Sequence, residues 1–412
     1  MLAESLEPRE IHSLLEEGFG RFDVAGKRLL LIVPDGTRTA PIGQVFRALH
    51  ELLHERVVAL DVLVALGTHQ PLSRREILAR LQLDESDLAG RFAGTRLFNH
   101  CWDRPDTFST LGVIPSEEIG RLSRGLLAVP VRVTVNKLIF DYDLIVICGP
   151  VFPHEVVGFS GGNKYLFPGI SGSEIIDATH WLGALITCRE VIGKKNTPVR
   201  NVIDLAAGMI ELEKICICLV VGDGGLAGLF VGSPEEAWSR AADLSARIHV
   251  RYKRHAFERV LSLMPEMYKD IWTAAKGMYK LEPVVADGGE LIIYAPHISQ
   301  FSHTHGAIIE RIGYHVRDYF VSQWDRFAGE PWGVLAHSTH LCGSGTYSGG
   351  TENPRVRVSL ATGIAPERCA AVGLRYRDPA KIRPDDWRGH EDQGMLLVEH
   401  AGEILYRLKG ES

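Results

Sequence analysis

The sequence predicts an α/β protein of two domains with mostly parallel sheets and an active site in the cleft between them. The chain has 412 residues, more than one hydrophobic core usually organises. Hydrophobic residues make up 45% and charged residues 23%, as in ordinary globular proteins. Short apolar runs alternate with amphipathic helical stretches, and this alternation is typical of parallel sheets covered on both faces.

The first part of the chain reads as helix and strand in turn. Residues 5–20 predict a surface helix, and the apolar run Leu29–Val33 predicts a buried strand that Pro34 ends. The same rhythm continues with a helix over Ile42–Arg56, a strand in VVALDVLVALGT, a helix in SRREILARLQL with Ser73 as N-cap and Glu76 three residues later, a strand ending in FNH, and an apolar strand over Leu144–Cys148.

Similar signals run to the C-terminus. They are a Gly-rich loop and helix over 161–190, a strand, turn and strand in EKICICLVVGDGGLAGLFVG, a long helix beginning at PEEAW, a turn and strand in VVADGGELIIYAPHIS, a helix in HGAIIERIGYH, strands in VRVSLATG and RCAAVGLRY, and a closing segment MLLVEHAGEILYRL. We predict an N-terminal domain over 1–275 and a C-terminal α/β domain over 280–391. The tail, 392–412, is expected to pack back on the first domain.

Composition excludes several classes of function. The net charge is −6. The sequence has no basic stripe interleaved with aromatic residues, which is the pattern that would predict a nucleic-acid partner. No apolar run approaches the ~18 residues that span a bilayer, and the N-terminus lacks the pattern of a signal peptide. The seven cysteines are dispersed, which favours reduced thiols and a cytoplasmic location. Cys216 and Cys218 are predicted to be buried core residues on one face of a strand.

Polar residues follow four of the predicted strands at the point where each strand ends. Ligands of open parallel sheets bind beyond the carboxyl ends of the strands, so a site is expected at this edge. The residues concerned are Asp35 to Arg38, Thr68 and His69, Asn99 and His100, and His154 to Lys164.

The segment PDGTRTAP permits two interpretations. Asp35 could bond its own backbone in a turn, or it could meet a sugar hydroxyl while Arg38 binds a carboxylate or phosphate. A charged arginine so near a buried strand end favours the second interpretation. For His100 taken alone, a structural role is the commoner outcome.

The segment HEVVGFSGGNKYLFPG is the most informative. Gly161 and Gly162 would let backbone approach an anion, but Tyr165 after Lys164 breaks the P-loop pattern. Lys164 could be a nucleophile in an apolar setting or a structural residue after a turn. His154 and His180 have neither HExxH nor zinc-finger spacing, although one histidine can bind a metal if a cofactor supplies the other ligands.

Taken in order, GTRTAP, GTH, NHCWD, HEVVGFSGGNKYLFPG, ATH and WTAAKG resemble the lactate racemase family over about residues 30 to 300. The resemblance implies a nickel-pincer nucleotide, a nicotinate-derived mononucleotide in which a pyridinium carbon and two sulfurs hold nickel. The implied site has His100 and His154 as acid/base groups, His180 as nickel ligand, Lys164 as a point of covalent attachment, Asp35, Thr37, His69, Ser160, Gly161 and Gly162 as cofactor contacts, and Arg38, Lys276, Trp272 and Trp332 as substrate contacts. Asn163 and Tyr165 depart from the family pattern on either side of Lys164.

The implied function is a racemase or epimerase that inverts C2 of a small 2-hydroxyacid, lactate or another short-chain aliphatic acid, through a 2-ketoacid. Two histidines suit this reaction, because each can take or return a hydroxyl proton near neutral pH. The 1–275 domain would bind the cofactor and carry catalysis, and the 280–391 domain would close the cleft. Expected partners are the substrate and the enzymes of cofactor biosynthesis.

Several alternatives stay open. The same cofactor would serve a malate racemase or a gluconate 2-epimerase, and a non-catalytic protein could bind the nucleotide or its nickel. An NAD-dependent dehydrogenase is disfavoured because no GxGxxG follows the first strand. His303 and His305 in SHTHG favour loop or helix-cap roles, and His337 could shape the far wall of the pocket.

Overall fold

The computed structural model describes residues 5–37 and 39–410, in which helices and strands alternate as predicted. The helices are α1 (Pro8–Phe19), α2 (Ile42–Leu53), α3 (Arg74–Leu81), α4 (Glu85–Ala89), α5 (Ser116–Leu122), α6 (Ser173–Ile186), α7 (Cys188–Val191), α8 (Pro198–Gly208), α9 (Pro234–His249), α10 (Ile271–Ala274), α11 (Lys276–Tyr279), α12 (Gly306–Ile312), α13 (Arg317–Ser322), α14 (Trp324–Phe327), α15 (Trp332–Cys342) and α16 (Pro366–Ala371). The strands are β1 (Arg28–Pro34), β2 (Ala59–Ala65), β3 (Leu97–Asn99), β4 (Phe108–Ile114), β5 (Val131–Asn136), β6 (Leu144–Pro150), β7 (Pro153–His154), β8 (Gly158–Phe159), β9 (Glu213–Gly222), β10 (Gly225–Gly232), β11 (Val250–Lys253), β12 (Phe257–Leu263), β13 (Val285–Ala295), β14 (Gly345–Ser348), β15 (Thr351–Pro354), β16 (Arg357–Thr362), β17 (Arg375–Tyr376), β18 (Met395–Val398) and β19 (Leu405–Leu408).

The chain divides into two compact units. Unit 1 comprises Met1–Phe152, Phe159–Ile176 and Arg200–Ile248, and unit 2 comprises Pro153–Gly158, Asp177–Val199 and His249–Ser412. This division differs from the predicted boundary at residue 275, because β12 lies inside the second sheet between β13 and β18. The tail also belongs to unit 2, where β18 pairs with β12 and β19 pairs with β11.

Unit 1 is built on a six-stranded sheet in the order β10-β9-β6-β1-β2-β3. Its neighbours are parallel except for β10, which returns antiparallel to β9. Strand β1 is central and buried from its second residue onward, as its continuous apolar run predicts. The mostly parallel sheet confirms the predicted fold class. Helix α3 begins with the predicted capping box of Ser73 and Glu76.

Unit 1 also contains a β-hairpin that is hydrogen-bonded to the segment before α6. Strands β4 and β5 pair antiparallel, and the segment before α6 runs beside β5. The Asn136 N–H donates to the Ile170 carbonyl at 2.8 Å, and the Gly172 N–H donates to the Thr134 carbonyl at 3.3 Å. These bonds bring Asn136 and Ser171, which are 35 positions apart in sequence, next to one another.

Unit 2 contains a five-stranded parallel sheet in the order β17-β16-β13-β12-β18. One prediction here is wrong: the segment RCAAVGLRY begins within helix α16, and only its last two residues form a strand, β17. Pro366 stands in the first turn of this helix, a position that suits its fixed φ and missing N–H, and Gly373 with φ of 82° follows its end.

The predicted core cysteines are confirmed as buried. Cys216 and Cys218 are fully buried on β9, and their Sγ atoms lie 3.4 Å apart. Across the described ranges, no helix is long and apolar enough to cross a membrane.

Candidate functional site

Asp35 and His69 meet at the carboxyl ends of β1 and β2. The Asp35 Oδ2 atom lies 2.5 Å from His69 Nδ1, and Oδ1 accepts bonds from the Thr37 N–H and hydroxyl at 3.0 and 2.7 Å. Burial alone would raise the pKa of the Asp35 carboxyl, but the charge of His69 and these hydrogen bonds hold that pKa well below its usual range. Asp35 is therefore a carboxylate at neutral pH. Arg38 lies outside the described residues.

The turn interpretation of Asp35 is confirmed. Its bonds to Thr37 form the predicted local turn, while its bond to His69 joins two strand ends. A carboxylate has about four acceptor positions, and three are taken by the two Thr37 groups and His69. Oδ2 carries the contact with His69 and Oδ1 carries the two bonds from Thr37.

His100 is fully buried where β3 ends. Its Nε2 atom lies 3.2 Å from the Ser171 carbonyl, and its Nδ1 atom lies 3.2 Å from Asn136 Nδ2. The ring meets Phe108 edge-on at 5.6 Å. Burial lowers the pKa of His100 to about 4, although the Ser171 carbonyl opposes this. His100 is therefore neutral near pH 7.

The Gly-rich loop of unit 1 carries Lys164 in a short 3₁₀ turn, Gly162–Tyr165. Gly161 and Gly162 have φ of 86° and 60°, a region that side chains disfavour. A Cβ on Gly161 would lie 2.6 Å from Val151, and one on Gly162 would lie 3.0 Å from Trp238. On that side, packing against the protein itself requires glycine. Ser160 donates its hydroxyl to the Pro150 carbonyl at 3.1 Å.

The two departures from the family pattern beside Lys164 have structural explanations. The buried Asn163 amide donates to Asp204 Oδ1 at 3.0 Å and to Glu235 Oε1 at 2.8 Å. The ring of Tyr165 packs over Gly149, where a Cβ would lie 2.2 Å from the phenol oxygen. Both larger side chains are thus accommodated without displacing Lys164 from its turn.

Arg200 binds the backbone of the same loop. Its guanidinium donates to the carbonyls of Phe159 and Gly161 and stacks over the Trp238 ring at 4.1 Å. Burial lowers the pKa of Arg200 to about 10, while Asp204 raises it, so the group remains a cation. A buried charge thereby fixes the backbone that leads to Lys164.

His154 is the second predicted acid/base residue and lies in unit 2, almost fully buried. Its Nδ1 atom accepts a bond from the Val156 N–H at 3.1 Å and lies 3.2 Å from Glu155 Oε2. The bond from the Val156 N–H requires a lone pair on Nδ1. A hydrogen bond to the Glu155 carboxylate would instead require a proton on Nδ1. A backbone N–H is a fixed donor, so the neutral ring keeps the lone pair on Nδ1, and the Glu155 carboxylate stabilises the ring once it is protonated.

His180 projects from α6, which Asp177 links to α15. The Asp177 carboxylate accepts the Gly333 N–H at 2.8 Å, and burial raises the pKa of this carboxyl, an effect that the Gly333 bond opposes. Residue Trp181 next to His180 stacks on Trp324 at 5.2 Å. The predicted nickel ligand thus sits on a helix that is anchored at both of these points.

The substrate candidates Lys276 and Trp272 also lie in unit 2. The buried Lys276 ammonium sits 4.6 Å from the centre of the Tyr268 ring. Trp272 contacts two histidine rings, with His337 stacked at 4.0 Å and His305 tilted at 4.7 Å. Lys276 thus packs on one aromatic ring, and Trp272 belongs to a cluster with two histidines.

His337 was left open by the sequence. It is buried, and burial, followed by the charges of His340, His305 and His180, lowers its pKa well below the ordinary value. His305 is the N-cap residue of α12, where its carbonyl accepts the Ile309 N–H at 3.0 Å and its ring makes no capping bond. The His303 ring contacts Gln300 in its loop.

Trp332 stands in the first turn of α15. It packs edge-on against Trp324 at 5.4 Å, and its indole N–H donates to the Ala328 carbonyl at 3.2 Å. Within residues 5–37 and 39–410, no group of three His, Cys, Asp or Glu side chains is arranged to hold a metal ion.

Sequence comparison identifies the relatives of this site. Residues 12–193 match the lactate racemase N-terminal domain. The lactate racemase of Thermoanaerobacterium thermosaccharolyticum is 25% identical over 280 residues, and that of Lactiplantibacillus plantarum is 24% identical over 286 residues. This part of the chain belongs to the lactate racemase family. Each alignment covers 65% of this chain but only 60% and 59% of the two relatives.

Solved structures agree with the fold of the family. A protein from Thermotoga maritima is 30% identical with a TM-score of 0.91, and the alignment covers 99% of this chain and 100% of that one. The lactate racemase apoprotein of T. thermosaccharolyticum is 18% identical with a TM-score of 0.72, covering 99% and 94%. The second likeness concerns the fold alone.

The region that matches the lactate racemase family domain contains most of the predicted site. Asp35, His100, His154, Lys164 and His180 all fall within residues 12–193, whereas the substrate candidates in unit 2 lie beyond it. The structure groups Asp35 with His69, and Trp272 with His337.

Sequence reasoning missed the supporting residues Asn136 and Arg200. A polar residue closing the strand VRVTVN was the one available signal for Asn136. An arginine inside a helical stretch gave no signal for Arg200.

Proposed function

We propose that the chain inverts C2 of a small 2-hydroxyacid, lactate or another short-chain aliphatic acid, by reversible hydride transfer with a nickel-pincer nucleotide. Membership of the lactate racemase family supports a racemase. The observation that carries the proposal is the presence of two buried histidines, His100 and His154, that each keep a lone pair on Nδ1. The His100 Nδ1 faces a side-chain amide that a substrate hydroxyl could replace, whereas the His154 Nδ1 is held by the Val156 N–H, which a proton on that atom would have to displace.

The chemistry explains why two bases are needed. The carboxylate of a 2-hydroxyacid is already negative and stabilises a carbanion at C2 poorly, so removing hydride from C2 is the easier route. A base must take the hydroxyl proton as the hydride leaves, and enantiomers present that hydroxyl on different sides. His154 can keep the proton it receives, because Glu155 lies 3.2 Å away.

Substrate orientation is assigned to cations and aromatic rings. Lys276 supplies a point charge for the carboxylate, and Arg38 supplies a bidentate donor. Trp272 and Trp332 would exclude water from the reacting carbon, which strengthens the electrostatic contacts. A ketoacid held in this way stays bound between the two half-reactions.

The residues present fit the proposed cofactor. The Asp35 carboxylate would accept a bond from a ribose hydroxyl, and His180 would offer one imidazole to nickel, whose other donors would come from the nucleotide. Thr37, His69, Ser160 and the glycine pair Gly161–Gly162 would surround the nucleotide. Lys164 lies on a fixed turn where its amine could be joined to the group. When bound, the nucleotide would accept hydride from C2 and return it.

A second candidate substrate carries a further polar group, as malate and gluconate do. The Nε2 atom of His337 and the hydroxyl of Tyr314 are buried and have no hydrogen-bond partner within the described ranges. Their rings lie 5.8 Å apart. Buried polar atoms normally have partners, and a substrate hydroxyl or carboxylate would supply one.

Chiral chromatography tests the proposal. The protein is produced together with the enzymes that make the cofactor and incubated with single enantiomers of lactate, 2-hydroxybutyrate, malate and gluconate. We expect the opposite C2 configuration to form without added NAD, and to fail in His100→Gln and His154→Gln variants that still bind the cofactor. Full activity in either variant would remove that histidine from the mechanism. No inversion by loaded protein would favour a binding protein.

A further inference from the structure

The surroundings of His100 define which of its nitrogens carries the proton. The Asn136 Oδ1 atom accepts the Leu138 N–H at 3.0 Å, which fixes the orientation of the amide. Its NH₂ group, which can only donate, therefore faces His100 Nδ1 at 3.2 Å. Nδ1 must hold a lone pair, and the ring proton must be on Nε2.

The opposite side of the ring leads to the same assignment. The Ser171 carbonyl, 3.2 Å from Nε2, can only accept, so it requires the Nε2–H. The backbone bonds that join β5 to the segment before α6 hold both partners in place. Two independent contacts thus select one neutral tautomer of His100.

We propose that Asn136 is a positioning residue that keeps His100 neutral, with the proton on Nε2 and Nδ1 as the atom that accepts a proton. A substrate hydroxyl donating to Nδ1 would replace the amide, one donor for another. A protonated Nδ1 would instead face the amide NH₂ donor to donor. The amide must then turn to present Oδ1 and release the Leu138 N–H, so Asn136 drives His100 to return the proton.

The effect acts in addition to burial. Phe108 from β4, Asn136 from β5 and the Ser171 carbonyl meet the ring, and none of these three groups is charged. A change at Asn136 therefore tests the hydrogen bond against a neutral background. The significance for catalysis rests on the proposed function, whereas the tautomer does not.

The test is ¹⁵N-histidine NMR on the full-length protein, with His100 assigned from the spectrum of His100→Gln. Asn136→Asp keeps the acceptor for Leu138 and places a carboxylate against Nδ1. We expect a proton on Nδ1, and the pKa of His100 should rise from about 4 to about 5 or higher, as an adjacent opposite charge produces. Asn136→Ala should keep the Nε2–H but raise the pKa less.

The matched control is Asn99→Asp, one residue before His100, where the amide bonds the backbone of Leu72 instead. Equal shifts in Asn99→Asp and Asn136→Asp would overturn the proposal, because charge alone would then explain them. An unchanged tautomer and pKa in Asn136→Asp and Asn136→Ala would also overturn it. Loss of stability without these changes would mean a structural role only.

Activity separates this proposal from the proposed function. With loaded protein, the acid limb of the kcat/KM profile should move to higher pH in Asn136→Asp, in step with the NMR titration. An NMR shift without any shift in the kinetic profile would support the role of Asn136 toward His100 and refute the role of His100 in the reaction.

Discussion

Replacing Arg200 with alanine should destabilise unit 1 more than any other single change to the loop of Lys164. The guanidinium donates to two backbone carbonyls and stacks over Trp238 at 4.1 Å. Hydrogen bonds from a charged donor contribute about 1.5–3 kcal/mol each, and a desolvated cation–π contact contributes about 2 kcal/mol. These contributions overlap, and removing one partner of a buried ion pair costs about 3–5 kcal/mol. We therefore expect a loss of about 3–5 kcal/mol in the free energy of unfolding.

Urea unfolding, followed by both fluorescence and circular dichroism, measures this loss, since two compact units need not unfold together. Arg240→Ala is the matched control, because Arg240 is an exposed arginine of unit 1 that also stacks on a ring, Phe230 at 5.0 Å. Surface changes of this kind stay within about 0.5 kcal/mol. Arg200→Lys should fall between the two, since it keeps the charge without the planar fork.

A double-mutant cycle with Asp204→Asn separates the electrostatic attraction between Asp204 and Arg200 from the carbonyl contacts. Asp204 attracts Arg200, while its own burial raises the pKa of the Asp204 carboxyl. We expect a coupling energy above about 0.5 kcal/mol, as residues of one charged network show. A loss below about 1 kcal/mol in Arg200→Ala, or one equal to that of Arg240→Ala, would refute the proposed clamp on the Lys164 loop.

Two further predictions concern the same sheet edge. Asp35→Asn should lower the free energy of unfolding at neutral pH, because folding depresses the pKa of the Asp35 carboxyl. The stabilisation by the ionised Asp35 is fully present above the unfolded pKa of about 3.9. It is lost as the pH falls through the lower folded pKa. The stability gap to wild type should therefore shrink in acid, and a gap that widens there would contradict the assignment. Gly162→Ala should lower the free energy of unfolding by about 2–3 kcal/mol, since φ is 60° and the new Cβ would lie 3.0 Å from Trp238. The control in the same urea assay is Gly208→Ala, because a Cβ at Gly208 would meet open space.

Local sequence was sufficient where one period or one short-range bond decides the structure. The apolar run of β1 and the capping box of α3 were predicted because their determinants lie within a few residues. The strand prediction for RCAAVGLRY was wrong, because a short apolar run is compatible with a strand and with a helix. Pro366, just before the segment, was the local signal that favoured a helix. The place of β12 inside the second sheet could not be read locally either.

The sequence by itself determined the α/β class, the order of polar groups at the strand ends and, through GTRTAP to WTAAKG, the family. Only the tertiary structure decided the state of those groups. The Nδ1 of His100 faces an amide 36 positions away, and Lys164 stands on a loop held by an arginine 36 positions further on. Protonation and rigidity depend on burial and on partners brought together by sheet pairing, and no spacing along the chain specifies those distances.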